Sequence, residues 1–236
     1  MSYRWDWDVF LRDTGGDQTY FAWMMSAWGW TLAVALCSWV IALLAGSMVG
    51  TLRTAPSPLL ARLAKAWVEL FRNIPLLVQI FLWYHVIPAF IPPLKELPGF
   101  VLVVFALGLF TSARVAEQLR AGIESLARGQ GHAGLALGLT LVQTYRFVLL
   151  PMAFRIVIPP LTSEAMNVIK NSSVAFAVSV GELTLFALQA QEETSRGIEI
   201  YLAVTALYAA SAFAVNRFMA WIEARVRLPG YLGSSR

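Results

Sequence analysis

The chain has 236 residues, of which 58% are hydrophobic and only 14% charged, and its mean hydropathy is +0.63. Soluble domains are poorer in apolar residues, and at about 20 apolar residues per crossing this length supplies roughly five membrane helices with short loops, leaving nothing for a separate soluble catalytic domain. The net charge of +4 would suit nucleic acid, but the basic residues interleave with no DNA- or RNA-binding motif, so no nucleic-acid partner is expected.

In chain order, residues 1–24 read as an external N-terminal segment. It is polar and acidic up to Gln18, and the apolar run that follows is too long for a signal-peptide core, so it should stay attached as an anchor. Five spans are expected, at about 25–52, 66–90, 99–124, 155–189 and 197–224. In the first, Cys37 is the chain's single cysteine, which excludes internal disulfides and cysteine metal sites and reads as a packing residue. Gly46 and Gly50 form a GxxxG pair, which lets helix backbones approach closely, either within the chain or against another subunit. Pro75, in FRNIPLLVQ, removes a backbone donor, so it either kinks the second span or starts it at the surface. The two histidines, His85 and His132, are far apart: His85 suits an amphipathic tip at a span end, and no metal site is expected.

Ionisable residues inside spans are costly unless they face protein or water. Arg114 and Glu117 are three apart in the third span and share a helix face. The fourth span carries Asn167, Lys170, Asn171, Ser172, Ser173, Ser179 and Glu182, so it should rank lowest in hydropathy and face a wet cavity. Arg114, Glu117, Lys170, Asn171, Ser172 and Glu182 are therefore candidate substrate-binding residues, the competing reading being ion pairs that hold helices together, with Arg114 neutralising Glu117. A guanidinium can take a carboxylate through two parallel hydrogen bonds, which puts Arg114 first and Lys170 second.

Between these spans lies a polar, glycine-punctuated loop at 127–151. Its first short helix, starting near Arg128, should end at Gly138, where glycine accepts the left-handed conformation. A second should start at once, because Thr140 and Gln143 have the spacing of a capping box, and it should stop at Pro151. Alternating the loops across a membrane places Arg53, Arg62, Lys65, Arg120, Arg128, Arg146, Arg155, Arg217, Arg225, Arg227 and Arg236 on one side and only Arg4, Arg12, Lys95 and Arg196 on the other. Basic loops stay cytoplasmic, so the N-terminus is expected outside and the C-terminus inside, which requires the fourth span to cross. No GxxxxGK[ST] loop, nucleophile–base pair or metal cluster occurs, so no catalytic residues and no cofactor are expected in this chain. A self-contained ion-coupled carrier usually shows internal repeats, and none is visible.

The loop GQGHAGLALGLTLVQTYRFVLLP at 129–151 resembles the pattern G-Q-x-E-A-A-x-x-L-G followed by Q-T-x-R-x-V-x-L-P of permease subunits of bacterial ABC importers for polar amino acids. The resemblance continues through VELFRNIPLLVQIFLWY at 68–84, LFTSARVAEQLRAGIESL at 109–126, PPLTSEAMNVIKNSS at 159–173 and RVRLPG at 225–230, and looks closest to glutamate/aspartate permeases. It implies one all-α membrane domain of about five helices over 1–236, in the type I importer fold with a cytoplasmic coupling-helix loop. Gly129, Gln130, His132, Ala133, Gly134, Gly138 and Arg146 would dock an ATPase, His132 standing where the family usually has an acid, either as a contact or as a solvated residue. The implied partners are a second permease subunit, a different chain in the glutamate/aspartate group, two ATPase subunits that use the ATP, an external solute-binding protein and the lipids of the bacterial inner membrane. The alternatives are a permease for glutamine or another polar amino acid, or an ion-coupled carrier.

Overall fold

The computed structural model describes residues 3–226; residues 227–230 of the RVRLPG block, with Arg227 and Arg236, lie outside the described residues. Eight helical elements follow in order: α1 Tyr20–Arg53, α2 Pro58–Asn73, α3 Leu76–Phe90, α4 Gly99–Glu124, α5 Arg128–Ala136, α6 Leu141–Val178, α7 Leu183–Thr194 and α8 Gly197–Val226. Short 3-10 turns at Trp7–Leu11 and Pro92–Glu96 complete the set. The fold is all-α; among the described residues the sole β feature is an isolated bridge between Asp13 and Thr19.

Four helices are long and apolar enough to cross a membrane by themselves, with mean hydropathies of 2.3 for α1, 2.0 for α4, 1.5 for α6 and 1.7 for α8. The expected fourth span is indeed the least apolar of these. The broken one, however, is the second. Instead of a straight helix at 66–90, α2 begins at Pro58 and meets α3 at a 103° corner. Pro75 makes the corner: it adopts φ −56, ψ 139 and sits just before α3. Proline has no N–H to continue α2 and pushes the preceding residue away from helical geometry, so Pro75 starts a helix. The bent pair is the fifth candidate span.

The fourth span also departs from 155–189. Helical structure starts earlier, at Leu141, and ends at Val178; Ser179 then turns left-handed at φ 60, and a new helix starts at Leu183. Pro151 does not stop the second loop helix, which runs on into α6 through a π turn at Tyr145–Leu149. The same device precedes Pro88, where α3 widens at Leu82–Val86. In both, a proline that lacks its N–H follows the wide turn by two residues, so the missing i→i−4 bond falls where the helix is already re-registered.

The described backbone falls into two compact units, one made of residues up to 40, 74–108 and 167–213, the other of 41–73, 109–166 and 214–226. In the first, Tyr20, Met24 and Ala27 of α1 pack with Leu183, Phe186, Ala187 and Ala190 of α7 and Ile200 and Val204 of α8. Trp23 meets Phe186 edge-on at 5.1 Å, and the buried Thr31 hydroxyl accepts the Leu183 N–H at 3.1 Å. The N-terminal segment is tied down by Glu199, which accepts from the Tyr3 hydroxyl and from the Asp6 N–H at 2.8 Å.

In the second unit, Val49 of α1, Ala64 and Val68 of α2, and Ala113 and Ala116 of α4 form the core, flanked by Leu52, Trp67 and Phe71. The GxxxG pair acts here, inside the chain. A Cβ on Gly46 would lie 2.6 Å from the Val115 Cβ, and one on Gly50 2.8 Å from the Ala116 carbonyl, so both glycines permit the close approach of α1 to α4. Cys37 departs from its packing role and is exposed on α1.

Candidate substrate and docking sites

The candidate substrate residues fall into three structural roles. Glu117 is the hub of an ion cluster. Arg53, at the end of α1, hydrogen-bonds its carboxylate, Arg120 one turn along α4 lies 3.2 Å away, and Arg72 of α2 approaches to 3.9 Å. Arg120 is also held by Glu124 at 2.5 Å. Three guanidiniums around one carboxylate leave Glu117 no capacity for a transient ligand, and it is not the partner of Arg114.

That partner is Glu164 of α6, at 3.6 Å. The Arg114 guanidinium lies over the Phe110 ring at 5.1 Å, which supports a cation without consuming its N–H donors. Arg114 is 41% exposed and Glu164 only 12%, and the near oxygen of Glu164 is buried without a hydrogen bond. The pair is thus long and one-sided. A planar five-donor group held by one ring face and one distant carboxylate keeps donors free for a second carboxylate.

Lys170, Asn171, Ser172 and Glu182 belong to the other unit. Lys170 is exposed and forms no ion pair among the described residues, whereas Ser172 is buried and donates to the Ile169 carbonyl at 2.7 Å. Asn171 is half-buried between them. Glu182 is fully buried and caps α7: it accepts from the Thr184 and Leu185 N–H groups at 2.8 and 3.0 Å and from the Tyr208 hydroxyl at 2.7 Å. A carboxylate at a helix N-terminus satisfies otherwise unpaired N–H groups. Its lone pairs are occupied, so its structural role is explicit.

Apart from the missing stop at Pro151, the loop takes the local form expected from its residues. Helix α5 ends with Gly138 at φ +84. The Leu139 N–H reaches the Gly134 carbonyl at 3.1 Å and the Gly138 N–H the Leu135 carbonyl at 3.0 Å, the bond pair of a Schellman ending. Thr140 and Gln143 form the reciprocal capping box, at 2.8 and 3.3 Å. Gly134 is buried, and a Cβ there would press on the Thr144 side chain at 3.0 Å, so any other residue would require Thr144 to give way by a few tenths of an ångström. Gly129 has open space around it, and Gln130 is partly buried.

Outward from the elbow, His132 and Ala133 are exposed. So are Leu135, Leu137, Leu141, Val142 and Phe147, with the Arg146 guanidinium over Phe147 at 5.5 Å. The elbow is anchored by Tyr145, whose hydroxyl donates to the Thr54 carbonyl at 2.7 Å at the end of α1. An exposed apolar surface on a stiff, doubly capped elbow is what a protein partner can grip. His85, by contrast, lies exposed against Tyr84 at 4.8 Å and joins no cluster.

Among the described residues the chain is all-helical, with four helices, or five counting the bent pair, apolar enough to cross a membrane. Residues 40–228 match the family described as binding-protein-dependent transport system inner membrane component, and the chain belongs to it. It is similar to the glutamate/aspartate import permease protein GltJ of Escherichia coli strain K12, at 42% identity over 99% of both chains. It is also similar to a probable amino-acid ABC transporter permease protein, PatM, of Vibrio harveyi, at 32% identity over 84% of this chain and 89% of that one. Among solved structures, a chain of an amino acid ABC transporter crystallised with histidines matches with a TM-score of 0.76 and 29% identity, over 87% of this chain and 95% of that one.

Proposed function

We propose that this chain is one of two permease subunits of an ATP-driven importer of acidic amino acids. Family membership carries the permease role. What supports glutamate and aspartate is the identity of 42% along nearly the whole length to a glutamate/aspartate permease, joined to a half-exposed arginine with free donors on α4. In this reading Arg114 takes the substrate carboxylate, Lys170 being the second choice for that role, while Glu117, Ser172 and Glu182 keep their own surroundings in place. The single-domain reading of 1–236 belongs to the same proposal.

The energy comes from two ATPase subunits docked on the α5–α6 elbow through Gly129 to Arg146. An external binding protein delivers the solute, and the second permease is a different chain. ATP binding closes the ATPases, and the Tyr145–Thr54 bond ties the elbow to the end of α1 as the cavity opens outward; the differential contacts in the two states are the physical content of the coupling. The N-terminus lies outside and the C-terminus in the cytoplasm.

Uptake into proteoliposomes carrying the purified complex tests this. Labelled glutamate should enter only with internal ATP and binding protein, and unlabelled aspartate should compete better than glutamine; uptake driven by an ion gradient without ATP would overturn the reading. A reporter fused after Arg236 should be cytoplasmic and one inserted at 189–196 external.

A further inference from the structure

Helix α2 has three distinct faces. Ala64 and Val68 are buried in the core of their unit. Arg62, Lys65, Glu69 and Arg72 form an exposed charged stripe. On the third face Leu59, Leu63 and Leu70 are 64%, 61% and 54% exposed, with Ala66 exposed between them. These four positions recur at i, i+4, i+7 and i+11, a single apolar stripe. The helix turns 103° away from α3, the apolar segment that follows it.

Beside the charged stripe lies a cavity of about 280 Å3 lined by Arg53, Lys65, Glu69, Arg72, Asn73 and Glu117. Cations there outnumber carboxylates by three to two. Arg53 is committed to Glu117, but Arg72 is 61% exposed and only 3.9 Å from the same carboxylate. Lys65 pairs loosely with Glu69 at 3.5 Å, both more than half exposed. A guanidinium, an ammonium and the Asn73 amide therefore face outward with free donors, a set that suits phosphate oxygens.

We propose that α2 lies in the plane of the membrane interface and holds an anionic phospholipid, the headgroup phosphate between Lys65 and Arg72 and the acyl chains along Leu59, Leu63 and Leu70. An amphipathic helix with cations beside a leucine face is the arrangement that inserts at the headgroup boundary, and basic pockets between membrane helices bind anionic headgroups. A protein occupant fits less well, because the core of a protein interface is depleted of charge and four charged residues flank these leucines. The inference rests on the chain spanning a membrane and holds whichever membrane face α2 occupies.

Native mass spectrometry of the purified full-length chain, incubated with equal amounts of phosphatidylglycerol and phosphatidylethanolamine of matched chains, tests the headgroup site. Phosphatidylglycerol should be retained several-fold over phosphatidylethanolamine, and Lys65→Gln with Arg72→Gln should bring the two level while the melting temperature falls by no more than the small shift expected of a loose surface ion pair. Excess inorganic phosphate should leave the retained lipid unchanged. Equal retention by the parent protein, an unaltered preference in the variant, or displacement by phosphate, which would mark a free-anion site, each overturns the proposal. For the leucine stripe, a fluorophore on Leu63→Cys in a Cys37→Ser background should be strongly quenched by brominated acyl chains in vesicles. An unquenched label would assign the stripe to a protein partner instead.

Discussion

Helix α4 presents two arginine–carboxylate groupings about one turn apart, and they are matched very differently. At Glu117, guanidiniums from α1, α2 and α4 itself converge on one carboxylate. At Arg114, one guanidinium faces one carboxylate at 3.6 Å and keeps a large exposed surface. Both are ionisable groups in a membrane helix, which alone makes each a functional candidate. The difference is saturation: a carboxylate surrounded by cations ties helices together, whereas a cation with donors left over can accept a ligand that comes and goes.

The largest expected effect lies at the saturated grouping. Glu117→Gln leaves Arg53, Arg72 and Arg120 facing one another around a neutral amide. Breaking a buried pair costs about 3–5 kcal/mol; with Glu117 24% exposed, solvent screening lowers the expected loss to about 2 kcal/mol. A lower melting temperature and a smaller yield of folded protein in detergent should result. If Glu117→Gln melted like the parent protein but transported glutamate poorly, the two groupings would have to exchange roles.

Next comes Gly138→Val in the elbow. A β-branched side chain at φ +84 is strained by about 1–3 kcal/mol, and relief requires re-aiming the helix that follows. Membrane insertion should remain normal while co-purification of the ATPase subunits and transport-stimulated ATP hydrolysis fall. Retained association and coupling would remove the docking assignment. The smallest effect belongs to the outermost cation of the Glu117 cluster: Arg72→Gln, at 3.9 Å and 61% exposed, should lower stability by under about 1 kcal/mol, readable as a small shift in the thermal midpoint.

The elbow was legible residue by residue, because caps are written within four positions of chain: Gly138 needs only its own φ, and Thr140 needs only Gln143. The all-α class and the positions of most spans followed from apolar runs for the same reason. Partners far apart in sequence were not legible. Glu117 meets Arg53 across 64 residues, and the i, i+3 spacing pointed instead to Arg114. Glu164 was overlooked although a carboxylate inside PPLTSEAMNVIK was a signal in plain view. Glu182 looked like an ion in a span, yet an acid after Gly181 and before the Leu183-Thr184-Leu185 run also has the form of a helix start, which the structure shows it to be. The corner at Pro75 required knowing that α2 packs sideways, against α1 and α4, which no local pattern encodes.

The most direct test of the contrast is uptake by Arg114→Gln in the reconstituted complex. A charge-assisted hydrogen bond is worth about 1.5–3 kcal/mol, so glutamate and aspartate uptake should fall about tenfold to a hundredfold, with glutamine, if handled, less affected. The complex should assemble in normal amount, since Arg114 is 41% exposed and its contact with Glu164 is long, at 3.6 Å. Glu164→Gln added to Arg114→Gln should leave acidic uptake low. If Arg114 only neutralised Glu164, the single variant would instead reduce the amount of complex, and the double variant would restore both assembly and uptake. Full rescue of glutamate uptake by the double variant, or equal loss for charged and neutral amino acids, would contradict the account.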